Sequence, residues 1–477
     1  MYKPLVTITI LLTLFGCVKV PKVADRDPIY PLPTISLHEK ARGLLADTLS
    51  NNFNNDGYLL YEAYTPLSEG DNYQKSHDMA DAPAWHGHWM ATLGYMMACE
   101  KKGYMQTGDP ALQFNYLIHE SILALRSNFH ATGIDGLLAR SVLKYDGDTY
   151  LPWMDTKEDR PTKFWMKGQN GYWFRNGPSK GHYDGAVFGL AVLIGLDNKG
   201  SIDLLRTTRS LLHQTLLDIA HYIIDNDYQI IDWDGKCSEF GYLNDWSYNG
   251  FDGLQLIAML RAGMAIGDAK CASEYKKIAK STAGFVIATT LEALGEVYAR
   301  AGRQNVFGHF SDDQSIYTSA FAWWINASHW DYVWTGRVNH EEDEELLHDV
   351  KHGLRGIWDY LKYSRKSFIT FIYEVISSPQ AKEHEEALDT LRLFPPNKFI
   401  ISPLETDDDS NEVQPICNQK INSHYWKTNY FRKVTLTPDS KTTNVIYSAQ
   451  DYLFVYWMGR FYGLITDSEA TTPVVWE

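Results

Sequence analysis

The chain has 477 residues, with 44 basic against 59 acidic side chains and a formal net charge of −15. Hydrophobic residues make up 44% and charged residues 22%, a globular composition that excludes a largely disordered chain, a collagen-like fibre and a polytopic membrane protein. Binding phosphates requires clustered Lys and Arg, and no basic run is present, so no nucleic acid is expected as a partner. The length exceeds one compact core and leaves two or three domains, one repeat array or one closed ring of repeats.

The first seventeen residues predict an export signal. A positive start at Lys3 precedes an apolar run from Leu5 to Phe15, which is too short for a membrane-spanning helix of about 20 residues. The sequence Leu14-Phe15-Gly16-Cys17 resembles the bacterial lipobox. The resemblance implies cleavage before Cys17 and lipidation of that cysteine. An ordinary signal peptide with an incidental cysteine is the alternative.

The next residues indicate how the mature chain is held. By the lipoprotein sorting pattern, Val18 after Cys17 implies the outer membrane, on its periplasmic or external side, with membrane contact through the lipid. Residues 18–34 are rich in Pro, Lys and Asp, which is typical of a tether. We therefore expect a signal peptide at 1–16, a lipid-anchored tether at 17–34 and one folded domain at 35–477.

Four further cysteines follow Cys17. The predicted compartment permits disulfides, but four cysteines allow three pairings, and buried free thiols fit the sequence equally well. Their spacing matches no zinc motif, and the chain has no phosphate-binding loop or dinucleotide fingerprint. Neither a metal nor a cofactor is therefore expected.

Helical periodicity dominates the chain beyond residue 35, in two kinds of segment. Segments of the first kind are amphipathic with one charged face: Leu37–Asn51, Pro110–Phe129, Ile202–Asp225, Ala269–Ala301, Glu341–Tyr363 and Gln380–Leu393. Segments of the second kind are apolar almost all round: Ala84–Cys99, Tyr183–Leu196, Tyr248–Ile266, Gln314–Ser328, Ser367–Ser377 and Ala449–Ile465.

The two kinds alternate along the chain. A one-sided helix faces water, whereas a helix that is apolar all round must be enclosed, so the alternation predicts six inner and six outer helices. This all-α arrangement resembles the (α/α)6 toroid of many carbohydrate-active enzymes. An open α-solenoid is the alternative, although it has no preferred number of pairs.

Two long insertions and one hairpin interrupt the helices. Residues 130–181 are rich in Trp and Tyr and are interpreted as an aromatic rim over a cleft, whereas residues 394–447 contain an acidic stretch interpreted as solvated surface. A small β-hairpin is predicted between Tyr228 and Leu243, with Asp234-Gly235 as its turn.

Two segments resemble a signature of uncharacterised bacterial proteins that are predicted to be α-toroids. One is Ile230-Ile-Asp-Trp-Asp-Gly-Lys236 with Phe240-Gly-Tyr-Leu243, and the other is Lys180-Gly-His-Tyr-Asp-Gly-Ala-Val-Phe-Gly189. The family usually has Trp where Phe240 stands. The resemblance supports the fold more than any chemistry.

The inner helices of a toroid point the same way, so their N-terminal ends share one mouth, to which each helix adds a partial positive charge. Glycoside hydrolysis needs two carboxyl groups there, one to protonate the leaving oxygen and one to activate water or attack. The carboxyl candidates are Asp184, Asp252, Asp312 and Asp451. Asp184 and Asp312 can instead be helix caps.

Uronide β-elimination would need a base and an acid, for which His and Tyr serve. The candidates are His86, His182, Tyr183 and Tyr248. His86 and His88 are two residues apart and point to different sides of a helix, so they cannot share a metal ion. A buried, hydrogen-bonded histidine is the alternative for His86.

Other residues are candidates for holding a sugar. Rings can stack on sugar faces, although helix aromatics are more often core, and Arg140 can pair with a substrate carboxylate or form a surface salt bridge. The binding candidates are Trp85, Tyr183, Trp246, Tyr248, Tyr317 and Arg140.

These patterns predict a carbohydrate-active lipoprotein of the glycoside hydrolase kind, with a carbohydrate as its substrate. A polysaccharide lyase is one alternative. A glycan-binding or assembly lipoprotein without active acids is the other.

Overall fold

The computed structural model describes residues 34–53, 59–60, 63–65, 75–77, 82–104, 113–144, 165–244, 250–278, 367, 370–371, 374, 384–394 and 446–473. Most of these residues are helical, as predicted, and the strands among them are short. Of the predicted helices, Gln314–Ser328 and Glu341–Tyr363 lie outside the described residues, as does most of the second insertion.

Four helices of the enclosed kind form one layer. They are α2 (Ala82–Lys101), α4 (Lys180–Asn198), α6 (Gly250–Ala265) and α9 (Gln450–Tyr462). Nearly every described side chain of α2 and α4 is buried, because both helices are apolar on all faces. The residues 367, 370–371 and 374 are also helical and fall within the predicted segment Ser367–Ser377.

The amphipathic helices form the second layer. They are α1 (Leu37–Asn51), α3 (Phe114–Thr132), α5 (Arg206–Asp225), α7 (269–278) and α8 (His384–Leu393). A capping box starts α1: the Ser36 hydroxyl accepts from the Glu39 N–H at 3.2 Å, and the Glu39 carboxylate accepts from the Ser36 N–H at 3.0 Å. A short helix, α10 (Asp467–Thr471), follows α9.

Glycines bring α2 and α4 together backbone to backbone. A Cβ on Gly87 would overlap the carbonyl oxygen of Gly185, and a Cβ on Gly189 would overlap that of Gly87. Further along, Gly94 faces Leu193 and Leu196. Since later residues of α2 meet later residues of α4, the two helices are parallel.

The other inner helices run in the same direction. Gln255 of α6 bonds to Asp184 of α4, and Ala265 of α6 bonds to Asn198 at the other end of α4. Thr92 and Cys99 of α2 meet Gln450 and Trp457 of α9 in the same order. The four described inner helices are therefore parallel, as the toroid interpretation requires.

The last helices of the chain pack against the first. Besides its contacts with α2, α9 meets α1 in the antiparallel sense: the Tyr452 hydroxyl donates to the Leu37 carbonyl at 2.9 Å, and the Thr48 hydroxyl donates to the Ser448 carbonyl at 2.7 Å. The buried Lys40 ammonium donates to the carbonyls of Leu391 and Arg392, at the end of α8. Burial lowers the pKa of Lys40 to about 7.

Among the described residues, three small sheets accompany the helices. The first has the order β2-β1-β8, from β1 (Ala63–Thr65), β2 (Lys75–His77) and β8 (Ile446–Tyr447), and so joins both ends of the chain again. The second has the order β3-β5-β4, from β3 (Ser141–Lys144), β4 (Trp165–Lys167) and β5 (Tyr172–Arg175). All their neighbouring strands pair antiparallel.

The predicted hairpin is confirmed. It consists of β6 (Gln229–Ile231) and β7 (Cys237–Tyr242), which pair antiparallel. The Gly235 N–H closes the turn onto the Asp232 carbonyl at 2.9 Å, and Gly235 takes a φ of 79°, which a glycine adopts without strain.

The interpretation of the first insertion needs correction. Its described part is the β3-β5-β4 sheet, and Trp165 and Trp173 on that sheet are only 5% and 3% exposed. These two rings are buried instead of lining an open rim, and they lie on the face of the sheet opposite to Val142 and Phe174, which belong to a buried cluster. Tyr145, Tyr150 and Trp153 lie outside the described residues.

Two further observations concern the cysteines and the hydropathy of the helices. Cys99, Cys237 and Cys271 are free thiols, and Cys417 lies outside the described residues. Across the part of the chain that the structure describes, none of the helices combines the length and hydropathy that crossing a bilayer demands.

A substitution that adds one methyl group tests the close contact between α2 and α4. Replacing Gly87 with Ala forces the new Cβ into the Gly185 backbone, so we expect the free energy of unfolding to fall by about 3 kcal/mol. Chemical denaturation followed by circular dichroism measures it. The matched control is Gly43→Ala on α1, where an added Cβ meets nothing within 4 Å and the change should be neutral or slightly stabilising. Equal effects at the two positions would contradict the packing.

Candidate functional site

The mouth is the surface at the N-terminal ends of α2, α4 and α6. These ends lie side by side, because Ala84 faces Gly185 and Asp184 bonds to Gln255, all within the first two turns of their helices. The α9 helix begins lower: its first residue, Gln450, meets Thr92, ten residues beyond the start of α2. At 1.5 Å per residue this is a drop of about 15 Å. Ser448 and Ala449, which precede α9, are buried, so the chain leading into α9 covers this side of the mouth.

Asp184 stands in the mouth between two inner helices. It lies in the second turn of α4 and is half-buried. The Gln255 side-chain amide, from α6, donates to its Oδ2 at 2.7 Å. An amide N–H donor stabilises the ionised form of a carboxyl group. Asp184 is thus placed as a carboxylate that is oriented by a neighbouring helix and still partly open to solvent.

His182 takes part in the N-terminal cap of α4. Its Nδ1 accepts from the Ser179 N–H at 2.8 Å, while the Ser179 hydroxyl caps the His182 N–H, so the pair forms a capping box with histidine in the usual place of Glu. The ring is fully buried. The Nδ1 atom is therefore engaged in holding the start of the helix.

Tyr183 lies inside the fold. Its hydroxyl donates to the Gly136 carbonyl at 3.1 Å and accepts from the Leu138 N–H at 3.0 Å, and its ring stacks on Tyr222. Burial raises the pKa of this hydroxyl well above its usual value. These contacts anchor the loop after α3 and leave the ring 3% exposed.

His86 is held by backbone groups on both sides. The Leu60 N–H donates to Nδ1 at 3.1 Å, and Nε2–H donates to the Ser121 carbonyl at 2.7 Å. Burial lowers its pKa to about 4, so the ring is neutral at pH 7. Both nitrogens are engaged in linking α2 to α3 and to the chain near residue 60.

The neighbours of His86 on α2 are also enclosed. The Trp85 ring is 7% exposed and lies 6.0 Å from the His88 ring. His88 packs between Phe188 and Phe454, a different environment from that of His86. As the spacing predicted, the two histidines do not face a common point.

Arg140 lies beside the start of α4 in a connected polar group. Its Nε–H donates to the Gly177 carbonyl at 2.5 Å, and the Gly177 N–H donates to Asp232 Oδ2 at 2.8 Å. The Arg140 carbonyl in turn accepts from the Ala82 N–H at the start of α2. Gly177 thus links the Arg140 side chain to the Asp232 carboxylate of the hairpin through its own carbonyl and N–H groups.

Asp232 was not among the predicted site residues. It is 9% exposed, and Trp233 N–H donates to its Oδ1 at 2.8 Å. Burial raises the pKa of this carboxyl, against the opposing effect of its two N–H donors and of Arg140. The sequence offered a signal, because Asp232 precedes the Asp234-Gly235 turn, but its partner Gly177 is 55 residues away.

Trp233, the residue after Asp232, has an exposed ring. It is 41% exposed and meets Phe174 edge to face, with ring centroids 6.3 Å apart. An indole ring in this setting can stack on a sugar face. Trp233 belongs to the segment Ile230–Lys236. The resemblance of that segment to the α-toroid signature supported the fold and indicated no role in binding.

The remaining predicted residues are not brought together by the described structure. Asp252 lies in α6 and Asp451 in α9, but their side chains lie outside the described part. The residues wholly outside it are Cys17, Trp246, Tyr248, Asp312 and Tyr317.

A groove of about 470 Å³ opens away from the mouth. It lies where α2 ends and where α3 and α5 begin, so it belongs to the opposite end of the inner helices. It is lined by Met97, Glu100, Gln113, Phe114, Asn115, Tyr116, His119, Leu205, Thr207 and Thr208. None of the predicted site residues contributes to it.

Comparison with known proteins assigns no family. No family model matches the chain, and no curated protein matches it. A solved structure titled "Bacteroides ovatus GH9" aligns over 89% of this chain and 82% of that chain, with 9% sequence identity and a TM-score of 0.44. So low a TM-score carries no argument about fold or function.

The buried His86 predicts a pH dependence of stability. Its pKa is about 4 in the folded chain and ordinarily 6.5, so between these values the unfolded chain takes up a proton that the folded chain does not. The free energy of unfolding should therefore fall as the pH drops from 6.5 to 4, by on the order of 3 kcal/mol from this residue.

Urea unfolding at several pH values measures this dependence. His86→Gln removes the titrating group, so the variant should be less stable at pH 7 and should lose less stability on acidification. Parallel pH profiles for the two proteins would contradict the assignment.

Proposed function

We propose that this chain is a carbohydrate-active enzyme of the glycoside hydrolase kind, built on an (α/α)6 toroid. The proposal rests most directly on Asp184, a half-buried carboxylate that Gln255 orients at the mouth of parallel inner helices. A hydrolase of this class needs a carboxylate in such a position.

The packing of the chain ends supports the ring. In an open spiral the first and last repeats lie far apart. Here α9 packs against α1 and α2, and β8 pairs with β1. We therefore propose that residues 35–477 form one ring, with the helices outside the described residues completing it.

The surroundings of Asp184 indicate its role. A carboxylate that accepts an amide N–H is suited to activate water or to attack, and less suited to deliver a proton. We propose Asp252 as the acid that protonates the leaving oxygen. It precedes Gln255 by three residues, a spacing that brings two residues to one face of a helix. Trp233 would stack on the sugar, and Arg140 would bind an acidic substituent.

The described contacts favour a hydrolase over a lyase. His86 uses both ring nitrogens in backbone hydrogen bonds, His182 accepts at Nδ1, and the Tyr183 hydroxyl both donates and accepts. These groups are engaged in holding helices and loops. They are therefore poorly placed to remove the C5 proton of a uronide.

The catalytic proposal is tested by Asp184→Asn in the full-length chain, purified in detergent and screened on a glycan panel. We expect release of reducing ends by the native chain and a loss of kcat of at least about 1,000-fold in the variant, because Asn cannot act as base or nucleophile. Asp218→Asn is the matched control: Asp218 also accepts a Gln side-chain amide, from Gln214 at 2.6 Å, but on the outer helix α5.

The other possible results distinguish the alternative functions. Unsaturated products would establish a lyase and refute the hydrolase. Glycan binding without turnover, lost in Trp233→Ala, would establish the binding protein. Unchanged kcat in Asp184→Asn would remove Asp184 from the chemistry.

We also propose that the chain is a lipoprotein of the outer membrane, anchored through Cys17 and the tether at 17–34. The support is the lipobox-like sequence at residues 14–17. Cys17→Ala should abolish incorporation of labelled palmitate and release the chain from the membrane fraction. The control Cys237→Ser should retain both, because Cys237 lies in β7 of the folded domain. Palmitate incorporation by Cys17→Ala would contradict the proposal.

A further inference from the structure

Three side chains with different ligand atoms converge in the outer layer. His221 comes from α5, Asp268 immediately precedes α7, and Cys271 lies in the first turn of α7. Their Nε2 or Nδ1, carboxylate and Sγ atoms all lie within 4.8 Å of one another. None of them belongs to the mouth.

The three positions differ in exposure in a way that suits a bound ion. The Cys271 residue is fully buried, whereas the His221 and Asp268 side chains are 35% and 15% exposed. The Cys271 thiol is thus the most deeply buried of the three groups. An ion could reach it from the solvent side, past His221. A water molecule from the partly exposed side would be the fourth ligand.

The surrounding helices fix the group in place. Gly263 of α6 has no side chain, and a Cβ there would overlap Cys271 Sγ, so the glycine lets the thiol sit close to α6. Asp268 Oδ1 accepts from the Cys271 N–H at 2.7 Å and lies 3.2 Å from His221 Nε2. An edge of 3.2 Å is close to the separation of two ligand atoms in a tetrahedral zinc site, given bonds of about 2.0 Å.

We propose that His221, Asp268 and Cys271 form a zinc site that ties α5 to α7. Nitrogen, oxygen and sulfur in one set suit Zn²⁺, and three protein ligands with one water give the tetrahedral geometry that it adopts. On binding, the Cys271 S–H bond breaks, its proton passes to solvent, and the sulfur electron pair forms the Zn–S bond. His221 binds as neutral imidazole, and nothing is oxidised or reduced.

This site departs from the sequence expectation of no metal. That expectation rested on the spacing of cysteines and on His86 and His88. His221 and Asp268 have 46 residues between them, so no short spacing motif contains both. The two residues meet only because the fold brings α5 and α7 together.

The site is tested with cobalt, which replaces zinc and reports its ligands by absorption. The full-length chain is stripped with EDTA in detergent and titrated with Co²⁺. We expect one equivalent to bind, with a thiolate-to-cobalt charge-transfer band and the strong visible bands of a tetrahedral site. Zn²⁺ should then displace the cobalt and raise the melting temperature of the metal-free chain.

Variants assign the ligands. Cys271→Ser should abolish the charge-transfer band, while the control Cys237→Ser keeps it. His221→Gln changes a partly exposed residue and should weaken Co²⁺ binding at least about tenfold, because the loss of even a residue that only supports a ligand costs a metal site about that much. Circular dichroism checks that each variant is folded.

Two results would overturn the site. One is the absence of a charge-transfer band in the native chain. The other is a band that persists in a folded Cys271→Ser protein or an affinity that His221→Gln leaves unchanged. Neither result depends on whether the chain hydrolyses a glycan.

Discussion

The α2 and α4 helices touch through their backbones, and the rest of the described structure follows from this contact. Around Gly87, Gly185 and Gly189 no side chain separates the two backbones, so the helix axes approach closely there. Asp184 is the residue next to Gly185. The packing that brings the helices together therefore also sets the position of the carboxylate that the proposed chemistry uses.

A second constraint joins the two ends of the chain. The buried bonds Thr92–Gln450, Thr48–Ser448 and Lys40–Leu391 cross between segments that are more than 350 residues apart. Each satisfies a polar group that burial would otherwise leave costly. Lys40 also shows the cost of such a position, since burial lowers its pKa to about 7. The C-terminal helices thus complete the core around α1 and α2.

Local patterns predicted the helices well, because a helix that is buried on one face or on all faces has a matching pattern of apolar residues in its sequence. The bounds of Leu37–Asn51 agree with the structure, and Ala84–Cys99 and Tyr183–Leu196 differ from it by two or three residues at each end. The hairpin was also predictable, because Asp234-Gly235 marks a turn between two extended stretches.

The site was less predictable because its contacts join distant residues. No local pattern shows that His86 bonds to Ser121, that Tyr183 bonds to Gly136, or that Asp232 bonds to Gly177. The strands of the first insertion were missed for the same reason, since β3 and β5 are separated by a long stretch of chain. Asp184 was predicted because it stands at a helix start, but its partner Gln255 was not.

The return of α9 to α2 brings the two ends of the chain together, and a double-mutant cycle at Thr92 and Gln450 measures this contact directly. The two side chains bond at 3.0 Å although 358 residues separate them, so Thr92→Val and Gln450→Leu should be non-additive. We expect a coupling energy of about 1 kcal/mol between them in urea unfolding. Strict additivity of the two changes would mean that the side chains do not meet, and the proposed closed ring would be wrong.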